Sequence, residues 1–376
     1  MNNYSITHTW PTEKPHTSMY DIFLCLQLFF VGMQFFVQNN TYIYLSGIVG
    51  LLAIVYWLIN FKNRVFVQKA TLVILLTMLL MFINYLFWGN YPLLSIFREP
   101  TSYMSIALML LGVCQNRKFY FGVFIVAALF VIYRMSLIGF DFSHDTIFTY
   151  SRNYLSLYVF IFNLPYYYAC SRDHEKASNI PVIICFGLSL ITLGRGNIIS
   201  SLLWFILIGL KYVVNSKGRG RFGYLIITLV FALALVYFMT SDFANNFLYR
   251  FEDRAMEDDA RFQIIQEYWS TIVSGVGLIF GCRLNSIPLV AVLEHLHNSY
   301  LMLHCFMGLG GILLLFVGIY RCFKSLYKSH SFDLLILLTV FVFRSFSDWY
   351  FPIHNGSILM WFIVLYPMLI SYNKTK

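Results

Sequence analysis

The feature that most constrains this chain is a succession of apolar runs from residue 19 to residue 372, most of them long enough to cross a bilayer and two, 101–114 and 180–194, shorter. A transmembrane helix needs about 20 mostly apolar residues. The runs fall near 19–37, 41–60, 70–88, 101–114, 119–138, 154–170, 180–194, 197–214, 222–239, 299–320, 332–350 and 357–372. A spanning segment must satisfy its own backbone hydrogen bonds, which leaves only helices and closed barrels. The runs lack the apolar–polar alternation that barrel strands show over ~10 residues. The predicted fold class is therefore an all-α integral membrane protein of about twelve transmembrane helices. The charge content agrees: 11% of residues are charged, against about 25% in soluble domains. No separate soluble domain is visible. Residues 1–376 read as one polytopic membrane domain, and 241–298 as its one large loop.

Loop charges orient the spans. With both termini inside, the inward loops hold Lys62, Arg64 and Lys69, then Arg117 and Lys118, Arg172 and Lys176, Lys211, Lys217, Arg219 and Arg221, and Arg321, Lys324 and Lys328. The tail adds Lys374 and Lys376. The loop 241–298 instead carries Asp242, Glu252, Asp253, Glu257, Asp258, Asp259, Glu267 and Glu294 against Arg250, Arg254, Arg261 and Arg283. An even number of spans satisfies the positive-inside bias throughout. The net charge of +9 is thus explained by short basic clusters between spans, and no nucleic-acid partner is expected. The polar start MNNYSITHTWPTEKPHTS lacks a basic region and a small-residue cleavage site, so it does not read as a signal peptide. The seven cysteines contain no CxxC pair. Only Cys282 falls in an outward loop, without a partner there, so no disulfide is expected.

The loop's first half, NNFLYRFEDRAMEDDARFQIIQEYWSTIV, reads as an amphipathic helix with Phe247, Phe251, Ile264, Ile265, Tyr268 and Trp269 on its apolar side. Its second half is broken by glycines and a proline. Long loops in compact proteins are usually functional.

Four outward features carry chemistry. In LGRGN, Arg195 stands at the outer junction of two spans between two glycines. It either serves a ligand or ion pair at membrane depth or snorkels to the outer headgroups. Arg250, Arg254 and Arg261 share one helix face, which either holds an anionic group through forked hydrogen bonds or exchanges surface ion pairs. His297 and Asn298 stand where the loop meets the tenth span, with His304 on the same face two turns deeper. A histidine near arginines at a membrane surface can act as a general base, or be an ordinary interfacial histidine. Glu294, His295 and His297 are close in sequence but match no zinc signature, and no metal site is assigned. Arg344 and Asp348, one helical turn apart, are expected to form an ion pair.

From His297 the sequence runs His-Asn, nine residues from Ser299 to Met307, Gly308, two residues, and Gly311. This spacing resembles the short motif shared by O-antigen polymerases and O-antigen ligases of Gram-negative bacteria. The order of features is similar too: Arg195 after an outer span end, Arg261-Phe262 on the helix of a large periplasmic loop, then His297. The resemblance covers roughly residues 180–320. The chain departs from the family in having Gly194-Arg195-Gly196 where Ser-Arg or Thr-Arg is common. Its stretch from Arg261 to His297 is shorter than a ligase would have, which leans towards a polymerase.

The resemblance implies an inner-membrane glycosyltransferase acting at the periplasmic face. It would join oligosaccharide repeats carried on undecaprenyl diphosphate. Arg195, Arg261, Asn298 and Arg344 would bind substrate, with Arg195 and Arg261 on the diphosphate. His297 would serve the acceptor hydroxyl as general base. No cofactor or metal is implied, matching the lack of a P-loop or Rossmann glycine pattern. The partners implied are the lipid-linked donor and acceptor, the bilayer and a chain-length regulator. The rival readings are a ligase transferring the glycan to lipid A–core, and a transporter or flippase. A transporter would place functional charges near the bilayer midplane, whereas these gather at the outer surface.

Overall fold

The computed structural model describes residues 18–37, 39–138, 148, 152–192, 194–215, 255–273, 275–293 and 296–373. Among these every regular element is helical, and there is no strand. The helices are α1 (Met19–Phe36), α2 (Asn40–Asn60), α3 (Arg64–Trp88), α4 (Leu94–Arg98), α5 (Ser105–Leu111), α6 (Arg117–Leu137), α7 (Leu155–Arg172), α8 (Ile180–Thr192), α9 (Arg195–Asn215), α10 (Ala255–Ile272), α11 (Gly275–Phe280), α12 (Pro288–Leu293), α13 (Ser299–Lys328), α14 (Phe332–Arg344) and α15 (Ser357–Asn373).

Six of them, α1, α2, α3, α6, α9 and α13, are long and apolar enough to cross a membrane, and α8 and α15 are shorter apolar helices. Their outer faces are apolar as well. Leu72, Leu86 and Val126 are each about two-thirds exposed, and many other large apolar side chains join them. A water-soluble surface does not carry an apolar belt of this extent. A lipid-facing one does. α7 is the converse case. Leu155 to Cys170 are buried without a break, so the helix has no solvent or lipid stripe and forms the centre of the bundle.

Several predicted boundaries move, each for a local reason. The fourth run, 101–114, begins inside a π-helical turn (Glu99–Met104) that follows α4, and continues only as the short α5. Pro100 lacks an N–H, and the register slips there so that Ser105 N–H reaches Pro100 O. The tenth run extends to Lys328 and is broken at Gly308, whose φ is 61° and ψ −163°. The eleventh run stops at Arg344 rather than 350. Beyond it Ser345 and Ser347 turn their hydroxyls onto the main chain at Phe341 O and Arg344 O, and Phe351–Pro352 is a cis bond. The run at 222–239 and the first part of the large loop, with Phe247, Phe251, Arg250 and Arg254, lie outside the described residues. On α10 the buried apolar side is Ile264, Tyr268 and Ile272, whereas Trp269 is exposed.

The two ends of the bundle differ in chemistry. At one end Asp21 caps α1 through Ser18 and accepts from the main chain of Cys114 and Gln115 and from the Tyr120 hydroxyl. Arg172 donates to Val113 O and Gln115 O, Arg117 pairs with Glu175, and Lys211 pairs with Asp333. A cavity of about 570 Å³ opens at this end among Lys69, Arg321, Lys324 and Lys328. The opposite end gathers Glu99, Arg195, His297, Asn298, Arg344 and Asp348.

Candidate functional site

The site is built where four helices begin: α7 at Leu155, α9 at Arg195, α13 at Ser299 and α15 at Ser357. Helix N-termini carry partial positive charge and free N–H groups. Their convergence makes this end of the bundle favourable to an anion, and Arg195 adds a full charge, whereas that of Arg344 is paired with Asp348.

Asn298 is the N-cap of α13. Its Oδ1 accepts from Tyr300 N (2.9 Å) and Leu301 N (3.1 Å), and its Nδ2 donates to Phe346 O (3.0 Å). The side chain assigned to substrate thus also holds the helix start and ties it to the segment after α14. Ser299 repeats the tie. Its N–H donates to Ser345 O (3.0 Å), its hydroxyl donates to Asp348 O (2.7 Å), and it accepts from Tyr350 N (2.8 Å). His297, just outside the cap, is partly exposed and has φ 49°. Ile353, across the site, has φ 57°. A non-glycine residue held at positive φ costs about 1–3 kcal/mol, so the surrounding contacts over-determine both turns.

Arg344 is 3% exposed. It donates to Ser347 Oγ and to Asp348 Oδ2 (3.1 Å) and lies over the Tyr350 ring at 5.2 Å. The expected ion pair is present, and it is buried. The guanidinium also lies against the backbone of Gly196, where any side chain would collide with it. This is a physical reason for glycine after Arg195: the start of α9 and the end of α14 meet through that gap. Tyr350 continues the network, its hydroxyl 3.3 Å from Ser156 Oγ and donating to Asn153 O (3.4 Å). Ser156 N donates to Asn197 Oδ1 (3.1 Å). His297–Asn298, Arg344 and the helix headed by Arg195 are therefore joined through buried polar contacts. Arg195 itself is partly exposed at the head of α9. Arg261 lies on α10, and its side chain is outside the described residues, as are Glu294 and His295.

His304 belongs elsewhere. The Leu278 carbonyl can only accept, so His304 Nε2–H donates to it (2.9 Å), which leaves Nδ1 to accept from the Tyr268 hydroxyl. With both ring nitrogens engaged, His304 latches α10 and α11 onto α13 and does not share the His297 surface. Gly308 completes the latch. A side chain there would strike Ile279 O and stand 3.0 Å from Phe280 Cα. The Phe280 carbonyl also accepts from Asn84 Nδ2 (2.6 Å) and Trp88 Nε1 (3.1 Å). The glycine of the His-Asn motif is thus the point where α11 enters the bundle.

No protein-family model, characterised protein or solved structure matches this chain. Among the described residues, no group of three or more His, Cys, Asp or Glu side chains is placed to hold a metal ion.

Glu99 joins the site although nothing in its sequence neighbourhood marks a ligand or catalytic motif. Its carboxyl is fully buried in the π-turn and accepts from Ile353 N (2.7 Å) and from Trp361 Nε1 (2.7 Å). It fixes the 345–356 segment from below and places Trp349 and His354 at the rim, where His354 stacks on Tyr154 at 4.9 Å. The signal was present in FREP: a carboxylate heading an apolar run must find donors. Cys282 and Cys305 are free thiols, but the Sγ of Cys282 lies 3.7 Å from that of Cys305, a neighbour in α13 rather than in the loop.

Proposed function

We propose that this protein is a polymerase of lipid-linked glycans, joining oligosaccharide repeats carried on a polyprenyl diphosphate at the outer face of a bacterial inner membrane. In this reading the chain makes about twelve spans with both termini inside, and residues 241–298 face outward.

The observation that carries the reading is the convergence of His297–Asn298, Arg344 and the Arg195 helix end on one end of the bundle, opposite the basic end. Arg195 and Arg261 take the diphosphate by charge and forked hydrogen bonds. Stabilising the leaving diphosphate lowers the barrier directly, and the four helix N-termini act in the same direction. The acceptor hydroxyl attacks the anomeric carbon with inversion. Its proton passes to His297 as the bond to the lipid diphosphate breaks. Arg344 is the inner member of the site. Buried and neutralised by Asp348, it shapes the floor and steadies the Arg195 turn. Asn298 holds the His297 turn and presents its amide beside it.

The test is a deletion strain complemented with His297→Ala or Arg195→Ala at matched membrane levels, with lipopolysaccharide resolved by size. A polymerase site gives core capped by a single repeat in both variants. Bare core would identify a ligase instead. Full-length chains in both variants would refute the site and favour a transporter.

A further inference from the structure

We propose that Cys282 and Cys305 form a disulfide that cross-links α11 to the first half of α13. The proposal rests on the outward placement of residues 241–298 argued above, since disulfides persist only in an oxidising compartment.

The two sulfurs are 3.7 Å apart and buried, Cys282 being 2% and Cys305 0% exposed. A disulfide needs about 2.05 Å, so the sulfurs must approach by about 1.7 Å. The backbones are already brought together on both sides of the pair. Asn90 Nδ2 donates to Cys282 O (2.9 Å) and to Cys305 O (3.0 Å), so a single amide nitrogen bridges the two main chains. Asn90 Oδ1 then accepts from Leu284 N (2.8 Å). One residue before Cys305, His304 is held to Leu278 and to Tyr268. The main chains are thus held close beside the pair, and in this proposal rotation of the two side chains makes the remaining approach. Among the described residues no other two cysteines make a sulfur–sulfur contact.

The chemistry is exchange with a protein or low-molecular-weight disulfide. One cysteine thiolate attacks the oxidant's sulfur and expels one thiol, forming a mixed disulfide. The second cysteine thiolate then attacks the first, expelling the other thiol. The pair loses two electrons and two protons, and the oxidant's disulfide is reduced to two thiols. Both sulfurs are buried once α11 is seated, so the exchange precedes that closure, while the loop is being packed. The bond would then hold α11 against the helix that descends from His297 and Asn298.

The experiment counts thiols in the full-length protein. Membranes are dissolved in a denaturing detergent with N-ethylmaleimide at harvest, so that buried thiols react as well, and the chain is weighed intact before and after reduction and relabelling. The chain has seven cysteines. Five labels before reduction, seven after it, and a cross-linked peptide joining residues 282 and 305 are expected. The variants Cys282→Ser and Cys305→Ser should each show six labels with or without reduction. A reductant should lower the melting temperature of the parent protein and leave that of the doubly substituted variant unchanged. Seven labels in the parent before reduction overturn the proposal. Growing the cells with diamide before the quench, so that the oxidant meets the chain while the loop is being packed, then separates the causes. Closure to five labels means that the pairing geometry holds and the outward placement has failed. Seven labels mean that the pairing itself is wrong.

Discussion

Gly308→Ala tests the packing that seats the large loop in the bundle. At φ 61° and ψ −163° the residue lies in a region open essentially to glycine alone, and a β-carbon there costs about 1–3 kcal/mol. The added carbon would also strike Ile279 O and press on Phe280 Cα. Both are main-chain atoms, so no side-chain rotation relieves the contact. α11 must then move outward, which strains the bonds of Phe280 O to Asn84 and Trp88 and of Leu278 O to His304. Each such bond contributes about 1 kcal/mol. The expected destabilisation is about 4 kcal/mol, close to a thousandfold in the folded ratio. The assay is unfolding of the purified protein in mixed micelles of dodecyl maltoside and increasing sodium dodecyl sulfate, followed by tryptophan fluorescence. Gly187→Ala is the control, because nothing lies within 4 Å of its added carbon in α8. There alanine should be neutral or stabilising by up to about 1 kcal/mol. If Gly308→Ala unfolds within about 1 kcal/mol of the parent, the account of the broken helix is wrong.

Three other substitutions probe the site's construction. Asn298→Ala removes a helix cap and the bond to Phe346 O, and should cost about 2 kcal/mol, whereas Asn298→Asp keeps the cap and should cost about half as much by the same titration. Arg344→Ala strands a buried carboxylate and should cost about 3–5 kcal/mol. Adding Asp348→Asn should recover at least about 1 kcal/mol, and strict additivity in that cycle would mean the two side chains do not interact. Glu99→Ala orphans the Ile353 and Trp361 donors and should destabilise by about 2–5 kcal/mol, with Glu99→Gln intermediate because its amide oxygen can still serve one donor. A Glu99→Gln protein with no change in fluorescence midpoint or Trp361 environment would contradict the buried contact.

The helices were legible in the sequence to different degrees. Long runs such as 41–60 and 119–138 show themselves because the cost of placing polar groups in hydrocarbon adds up residue by residue along the chain. The ends of α13 and α14 did not follow from composition. Gly308 looks like any glycine in an apolar run until Ile279 O stands against it. Past Arg344 the eleventh run mixes Phe346, Trp349 and Tyr350 with Ser345, Ser347 and Asp348, and the chain leaves the helix there, held by Ser299, Asn298 and Glu99, which are distant in sequence. The candidate site was legible as residue types near span ends. Glu99 was missed because its partners, Ile353 and Trp361, lie more than 250 positions away.

From the sequence alone come the helical class, the apolar segments long enough to cross a membrane and the charge carried between them. These follow from sums over neighbouring residues: hydropathy along a run and charge between runs. The tertiary structure decided which side chains are working parts and which are fastenings. It put His304 on Tyr268 and Leu278, seated Arg344 against Gly196, set Cys282 beside Cys305, and tied Asn298 to Phe346 O. Each of those roles depends on a partner far along the chain. Only the folded backbone brings the two within the few ångströms over which hydrogen bonds, ion pairs and steric contact act.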